Sequence, residues 1–503
     1  MNTMNKKIAA ILAATVIGGA SLSSILPAAQ AFAAAPTEAN AVAVLSSLTD
    51  KQIQAAVQEL AKLGIMEGYA DNTMGEARQV TRAELAKLLV KTFDLKSAGT
   101  TSFSDVRPEA WYADYVTTAA ELGVLQANGS AFDPRGTVTD SELTAAVAKA
   151  LGRDLKSVEH WMSSFYSFAS HATRGEAAYL LQTAHRAIPS EQASITDVRS
   201  LNAITLIVTF DKPLTAADEV FAKAKTDFSF NGDLTLTNMP RLKTGSVSTY
   251  IVPTSVQQAG TEYSLTYKGQ NAGSFQGSGT KLAITSASQV TNDTFELASL
   301  QANGVVDYGY IISAYSGGRG ANAFVLDDNE QANGKTFQII SSMQARQVTI
   351  TPEGGAPIVA KYVPFTQSTD GKQEPKFRLP EGQQLEPGVK YTVTSDWADI
   401  AEASFTAGSF EPLQITSAKA TGETSIEVTL AQDPGDELFS GRSVTLTAPN
   451  GDKLTATYKY SSRKGATGVF DLANNGKLAA DTVYTIEPAG DWAVASDVTL
   501  GQK

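Results

Sequence analysis

The stretch Val80-Thr81-Arg82-Ala83-Glu84 opens a run in which Leu85, Leu88 and Leu89 fall on one helical face. A Thr followed three residues later by Glu is a capping box, because each side chain satisfies a backbone N–H of the opening turn. The same arrangement recurs at Thr139-Asp140-Ser141-Glu142, before Leu143, Ala146 and Val147, and at Thr173-Arg174-Gly175-Glu176, before Ala177, Leu180 and Leu181. One buried face is therefore written three times. The first two cap threonines are 58 residues apart and the last two 34, so the third copy is shortened.

Each of the first two boxes has an upstream partner helix. Ile53, Val57, Leu60 and Leu63 form one apolar stripe, ending at Gly64; Trp111, Tyr115, Ala119 and Leu122 form another, ending at Gly123. Both glycines read as left-handed helix caps. A helix pair of this size cannot bury its own apolar face, so the copies are expected to stack, with repeats at about 48–95, 103–155 and 156–188.

Within this module, Phe103-Ser104-Asp105-Val106, Trp111-Tyr112, Leu122-Gly123-Val124, Phe132-Asp133-Pro134 and Val138-Thr139 resemble the S-layer homology motif. Val80-Thr81-Arg82-Ala83-Glu84, Leu63-Gly64-Ile65 and Gly68-Tyr69-Ala70-Asp71 extend the resemblance to the first copy. It implies a three-repeat helical module that anchors exported proteins to a secondary cell-wall polysaccharide, often bearing pyruvylated sugars. Carried over position by position, it implies glycan contacts from Arg82 and Arg174 (anion binding), Asp105 (acidic), Trp111 (aromatic) and the loop glycines Gly64 and Gly123, with Trp161 a weaker match in the third copy. An acidic sugar needs such a set: a cation for its carboxylate, hydrogen-bonding groups for its hydroxyls and an aromatic plate for its apolar face. Asp140 stands where the motif has Arg, and would repel a carboxylate.

Ahead of the helices, Lys6 and Lys7, the uncharged run Ile8 to Leu26 and Ala31-Phe32-Ala33 read as a signal peptide over residues 1–33. The helical module then occupies 34–190. No later apolar run of about 18 residues reads as a membrane span.

After Pro189 the pattern changes to short alternating runs rich in Val, Thr, Ile and Tyr. Three segments begin alike, at Ile195-Thr196-Asp197-Val198, Ile284-Thr285-Ser286-Ala287 and Ile415-Thr416-Ser417-Ala418. They close alike on Tyr-centred strands around Tyr263, Tyr391 and Tyr484, and Asp396-Trp397-Ala398 matches Asp491-Trp492-Ala493. The fold class is thus multidomain: an all-α, S-layer-homology-type repeat module, then all-β, Ig-like sandwiches at 194–279, 280–412 and 413–503. The stretch Val208-Thr209-Phe210-Asp211-Lys212-Pro213-Leu214 resembles an early strand of bacterial Ig-like modules of surface-layer proteins. The middle module is longest, with its Gly-rich Tyr315 to Ala323 read as an inserted loop.

Composition narrows the function. Across 503 residues, 52 acidic side chains against 40 basic give a net charge of -12, which argues against nucleic acid and anionic membrane surfaces as partners. Cysteine is absent, removing disulfides, thiolate catalysis and Cys-based metal sites. The three histidines, His160, His171 and His185, read as structural. No Gly-x-Ser-x-Gly elbow or His-Glu-x-x-His helix is present, so no enzyme is expected. Asp327-Asp328-Asn329-Glu330 and Asp433-Pro434-Gly435-Asp436-Glu437 have the oxygens to ligate calcium, yet lack an EF-hand pattern and read better as solvated turns. The expected function is a secreted, non-enzymatic S-layer subunit of the cell wall, forming a homo-oligomeric array that Ca2+ would help by bridging acidic surfaces. The alternative is an anchored adhesin or carbohydrate-binding protein that forms no lattice.

Overall fold

The structure, a computed structural model, describes residues 48–97, 99–163, 170–298, 305–308, 325–332, 334–364 and 374–501. The expected signal peptide and the Gly-rich stretch Tyr315 to Ala323 lie outside the described residues.

Among the described residues, six helices build the first module: α1 (Asp50–Lys62), α2 (Arg82–Phe93), α3 (Ala113–Glu121), α4 (Asp140–Leu151), α5 (Leu155–Trp161) and α6 (Arg174–Arg186). Thr81 with Glu84 and Thr173 with Glu176 form complete capping boxes. Thr139 forms half of one: its hydroxyl accepts the Glu142 N–H, but no return bond runs from the Glu142 carboxylate to the Thr139 N–H. That carboxylate is paired with Arg82 instead. A further box, Thr49 with Gln52, opens α1.

The residues just before the three cap threonines join the repeats in a ring. Val80 N–H donates to Ala172 O (3.0 Å), Ala172 N–H to Val138 O (2.9 Å) and Val138 N–H to Val80 O (3.0 Å). All three are fully buried, so these bonds replace water that the interior excludes. The next shell repeats the cycle: Arg82 N–H bonds Gly136 O, Asp140 N–H bonds Ser170 O and Arg174 N–H bonds Arg78 O. The first amides of α2, α4 and α6 are thereby satisfied by the loop of another repeat. Helix packing is cyclic too, α3 on α2, α5 on α4 and α1 on α6.

The buried stripes differ in part from those expected. In α1 they are Ala56, Val57 and Leu60, and in α3 Ala113, Val116 and Ala119. Leu63 and Leu122 sit at the C-caps, where the chain leaves the helical face; Ile65 and Val124, beyond the glycines, take the core positions. Trp111 precedes α3 in a turn and points outward.

After the helices come mostly β, sandwich- or barrel-like sheets. The first β module pairs a four-stranded sheet (Ile195–Asn202, Thr205–Phe210, Thr249–Pro253, Arg241–Leu242) with a three-stranded one (Phe228–Phe230, Glu262–Tyr267, Gln270–Gln276). Phe210 lies in edge contact with Tyr250 (5.4 Å) and Tyr267 (5.2 Å) at the centre.

The second and third modules share one connectivity. Numbering each module's strands along the chain and leaving aside the small sheets of the middle module, the sheet order is 7-1-2-5-4-3-6-8 in both. Strand 7 is parallel to strand 1 (Ala398 opposite Leu282; Ala493 opposite Leu413) and strand 8 returns beside strand 1. The repeated sequence marks have a common cause. Tyr263, Tyr391 and Tyr484 each accept, at the hydroxyl, the N–H of the residue five positions earlier (Gln258, Glu386, Ala479) at 2.9–3.1 Å. Thr196 and Thr416 sit at bulges and donate to the neighbouring strand at Thr209 O and Thr429 O. The indoles of Trp397 and Trp492 donate, at 3.0 Å, to Gln347 O and Ser443 O, each at the start of its module's third strand.

The joints are polar and buried. Gly245 of the first β module accepts the Trp161 indole N–H (2.8 Å) and donates to Ser157 Oγ (3.1 Å), and Lys212 donates to His185 O at the end of α6 (2.8 Å). The extra length of the middle module includes Val305–Asp307 paired in parallel with Gln338–Ile340; Tyr308, Leu326 and Ile339 pack on Ile207 and Ile251 of the first β module. The second and third modules meet where Arg442 forks onto Asp293 at 2.6 and 2.8 Å.

Candidate glycan site on the helical module

Arg82 and Arg174, the first residues of α2 and α6, are nearly buried, with side chains 12% and 5% exposed. The Arg174 guanidinium donates to Met74 O (3.1 Å), Glu67 O (3.0 Å) and the Glu84 carboxylate (3.2 Å), above the Tyr69 ring. Arg82 repeats this one copy on, donating to Phe132 O (2.9 Å) and Gln126 O (2.5 Å), pairing with Glu142 and lying over Phe132. Burial lowers the Arg82 pKa, against the pull of Asp133 and Asp105. Both guanidiniums thus have partners inside the inter-repeat joints. Asp105 belongs to the same region: its carboxylate accepts the N–H groups of Phe132 (2.9 Å) and Asp133 (2.7 Å). Burial raises its pKa, but these bonds outweigh that and hold it low.

Trp111 and Gly64 come together elsewhere. Trp111 is 58% exposed. The Lys87 ammonium lies 5.6 Å from its ring centroid. Lys87 and Lys91, one turn apart on α2, both reach the Glu67 carboxylate (2.8 and 3.0 Å), and Lys91 also donates to Gly64 O (2.9 Å). The lysine hydrogen bonds hold the Glu67 pKa down to about 2. Gly64 has φ +69, and no atom stands within 4 Å of where a Cβ would sit. An exposed indole face, two ammonium groups and an open glycine edge thus share one surface between the first and second repeats, a set able to hold a carboxylate beside an apolar sugar face.

Sequence reasoning named Trp111 and Gly64 but missed Lys87, Lys91 and Glu67. The signal was the i, i+4 lysine pair on the polar face of α2, which reads like any solvated helix face.

The second copy is sparser. Gly123 keeps its left-handed conformation (φ +65), Gln126 stands at the place of Glu67 and donates to Gly123 O (3.2 Å), and Lys149 corresponds to Lys91. Ala145 replaces Lys87. Asp140 is buried at the start of α4. Trp161 lies at the far end of its helix, against Gly245, and is not placed as Trp111 is.

The acidic turns hold cationic side chains. Glu330 accepts from Arg199 (2.7 Å) and lies 3.3 Å from the buried Lys243, while Asp327 accepts two backbone N–H groups of its own turn. Asp433 accepts from Arg463 at 2.6 Å. Among the described residues no group of three or more His, Asp or Glu side chains gathers at metal-ligand spacing. His160 packs in the joint near Gly245, where burial lowers its pKa. No helix among the described residues is long and apolar enough to cross a membrane.

The profile of the S-layer homology domain matches residues 49–86 and 102–142. The chain is similar to the middle cell wall protein of Brevibacillus brevis, 28% identical over 283 residues, which are 51% of this chain and 27% of that protein. It is also similar to the surface layer protein of Brevibacillus choshinensis, 27% identical over 284 residues, 51% of this chain and 25% of that protein. A shorter match, 28% over 106 residues, joins 21% of this chain to 10% of an exoglucanase of Acetivibrio thermocellus. The chain spans about a quarter of the length of the first two relatives. The first and second repeats thus match the S-layer homology domain, and over half its length the chain is similar to cell-wall and surface-layer proteins.

Proposed function

We propose that this chain is a non-enzymatic structural subunit of a surface layer, attached to secondary cell-wall polysaccharide through its helical module and associating with copies of itself through its β modules. The observation that carries the attachment is the exposed Trp111 ring with Lys87 beside it, and Lys91, one turn on along α2, reaching the Gly64 carbonyl. A carboxylate on the glycan, as in a pyruvylated sugar, would pair with the ammonium groups while its ring covers the indole. Arg82, Arg174 and Asp105 then act from behind, fixing the loops that present this surface. Gly123 would serve a weaker second groove with the single Lys149.

The structural role is supported by three β modules held to their neighbours by buried hydrogen bonds and ion pairs, as suits a load-bearing element. A calcium requirement, in this reading, lies between chains, since Lys243, Arg199 and Arg463 already neutralise the acidic turns. Co-sedimentation with sacculi tests the attachment. The intact chain should pellet with sacculi that keep their secondary polysaccharide and stay in solution with sacculi stripped of it; equal pelleting with both would refute it. Electron microscopy of the chain with calcium tests the array: a chain monodisperse at high concentration would be an anchored adhesin.

A further inference from the structure

We infer that Glu67 is an internal stand-in for the ligand's carboxylate: it occupies the Lys87 and Lys91 ammonium groups while the groove is free, and an acidic sugar must displace it. This rests on the reading of that groove as the glycan site. The carboxylate bridges Lys87 Nζ at 2.8 Å and Lys91 Nζ at 3.0 Å, the same bonds an incoming carboxylate would seek. Glu67 is also able to leave: its side chain is 60% exposed, it stands in the loop after Gly64, and among the described residues its carboxylate bonds these two lysines alone. Its backbone carbonyl is pinned by Arg174, so the side chain can swing while the loop stays in place.

The second repeat supplies an internal comparison. Where Lys87 is replaced by Ala145, Glu67 is replaced by Gln126, so the carboxylate is present where the lysine pair is present. Gln126 keeps the loop folded by donating to Gly123 O, which shows that a neutral amide fits this position.

Displacement makes Glu67 a specificity filter. A neutral sugar stacking on Trp111 gains nothing from the lysines while Glu67 holds them, whereas a carboxylated sugar replaces one ion pair with another and adds the stacking. Removing the carboxylate should tighten binding of acidic glycans, because the ammonium groups then have no anionic partner to give up, Lys91 keeping only its bond to Gly64 O.

The test is calorimetric titration of the intact chain, as wild type, Glu67→Gln and Trp111→Ala, with wall glycan released by muramidase digestion and with dextran as a neutral probe. The expected result is affinity for the wall glycan raised about two- to fivefold in Glu67→Gln, the scale of one exposed ion pair, and a steeper fall of that affinity with salt. Trp111→Ala should lower it about tenfold or more. Unchanged or weaker binding by Glu67→Gln, with Trp111→Ala impaired, overturns the stand-in role and leaves the groove intact as the site. Full binding by Trp111→Ala overturns the groove itself. Thermal melting of each variant separates these outcomes from misfolding.

Discussion

The guanidinium of Arg174 lies 3.2 Å from the carboxylate of Glu84, 90 residues earlier, tying the first residue of α6 to the first turn of α2. Glu84 at the same time closes its own capping box and accepts the Tyr69 hydroxyl (2.5 Å). Burial raises the Glu84 pKa, but the donors around it outweigh that and hold it below the usual range. Tyr69, half-buried and donating to this carboxylate, is pushed up to about 12. One residue thus serves a local cap and an inter-repeat joint.

Replacing Arg174 with Ala leaves a nearly buried carboxylate without its cation and removes the donor to two carbonyls. The expected cost is about 3 kcal/mol, seen in calorimetry as a fall of several degrees in the melting of the helical module. Arg174→Lys should recover only part, because an ammonium cannot reproduce the fork that spans Met74 O, Glu67 O and Glu84. Melting unchanged in Arg174→Ala would contradict the joint.

Gly245 has φ +75, and a Cβ there would meet Val325 and His160. Gly245→Ala should therefore loosen the contact between the helical module and the first β module, at a cost of about 1–3 kcal/mol. Limited proteolysis reads this as faster cleavage in residues 187–194, and a change in Trp161 fluorescence should accompany it, since its indole donates to Gly245 O.

The joint of the second and third β modules should be acid-labile. Burial alone would raise the Asp293 pKa, but the forked bonds from Arg442 hold it down to about 2. A carboxylate depressed in the folded state gives stability that is fully present above its unfolded pKa of about 3.9 and is lost as pH falls through about 2. Melting at pH 7, 4 and 2.5 should show a loss below pH 4 that is smaller in Asp293→Asn, which is destabilised at every pH. Equal pH profiles for the two proteins would contradict the assignment.

The Tyr391 and Tyr484 hydroxyls each take one N–H of the preceding turn. Tyr484→Phe removes the acceptor from Ala479 N–H without changing packing, and should cost about 1 kcal/mol in melting of the third β module.

Much of the fold was legible because its marks are local. A Thr and a Glu three residues apart announced α2 and α6, and the recurring Ile-Thr and Tyr segments marked the opening bulge and closing turn of β modules. The capping box at Thr139 failed in part because Arg82, far away in sequence, claims Glu142. Trp111 read both as part of the α3 stripe, by its spacing, and as a glycan contact, by the resemblance; the helix starts two residues later, and the indole is left outside the core. Lys87 and Lys91 gave only an i, i+4 spacing shared with any solvated helix face, and Glu67 not even that, since exposed charges follow no apolar period. The joints were equally silent: Gly245, Lys243 and Asp293 matter through partners on other modules.

The indole N–H resonance of Trp111, assigned by loss in a Trp111→Phe variant, reports on the groove directly. On titration of the intact labelled chain with muramidase-released wall glycan it should shift well ahead of those of Trp161, Trp397 and Trp492, whose indoles already donate within the chain. It should stay in place with dextran. A Trp111 signal unmoved by glycan that the chain demonstrably binds would contradict the account.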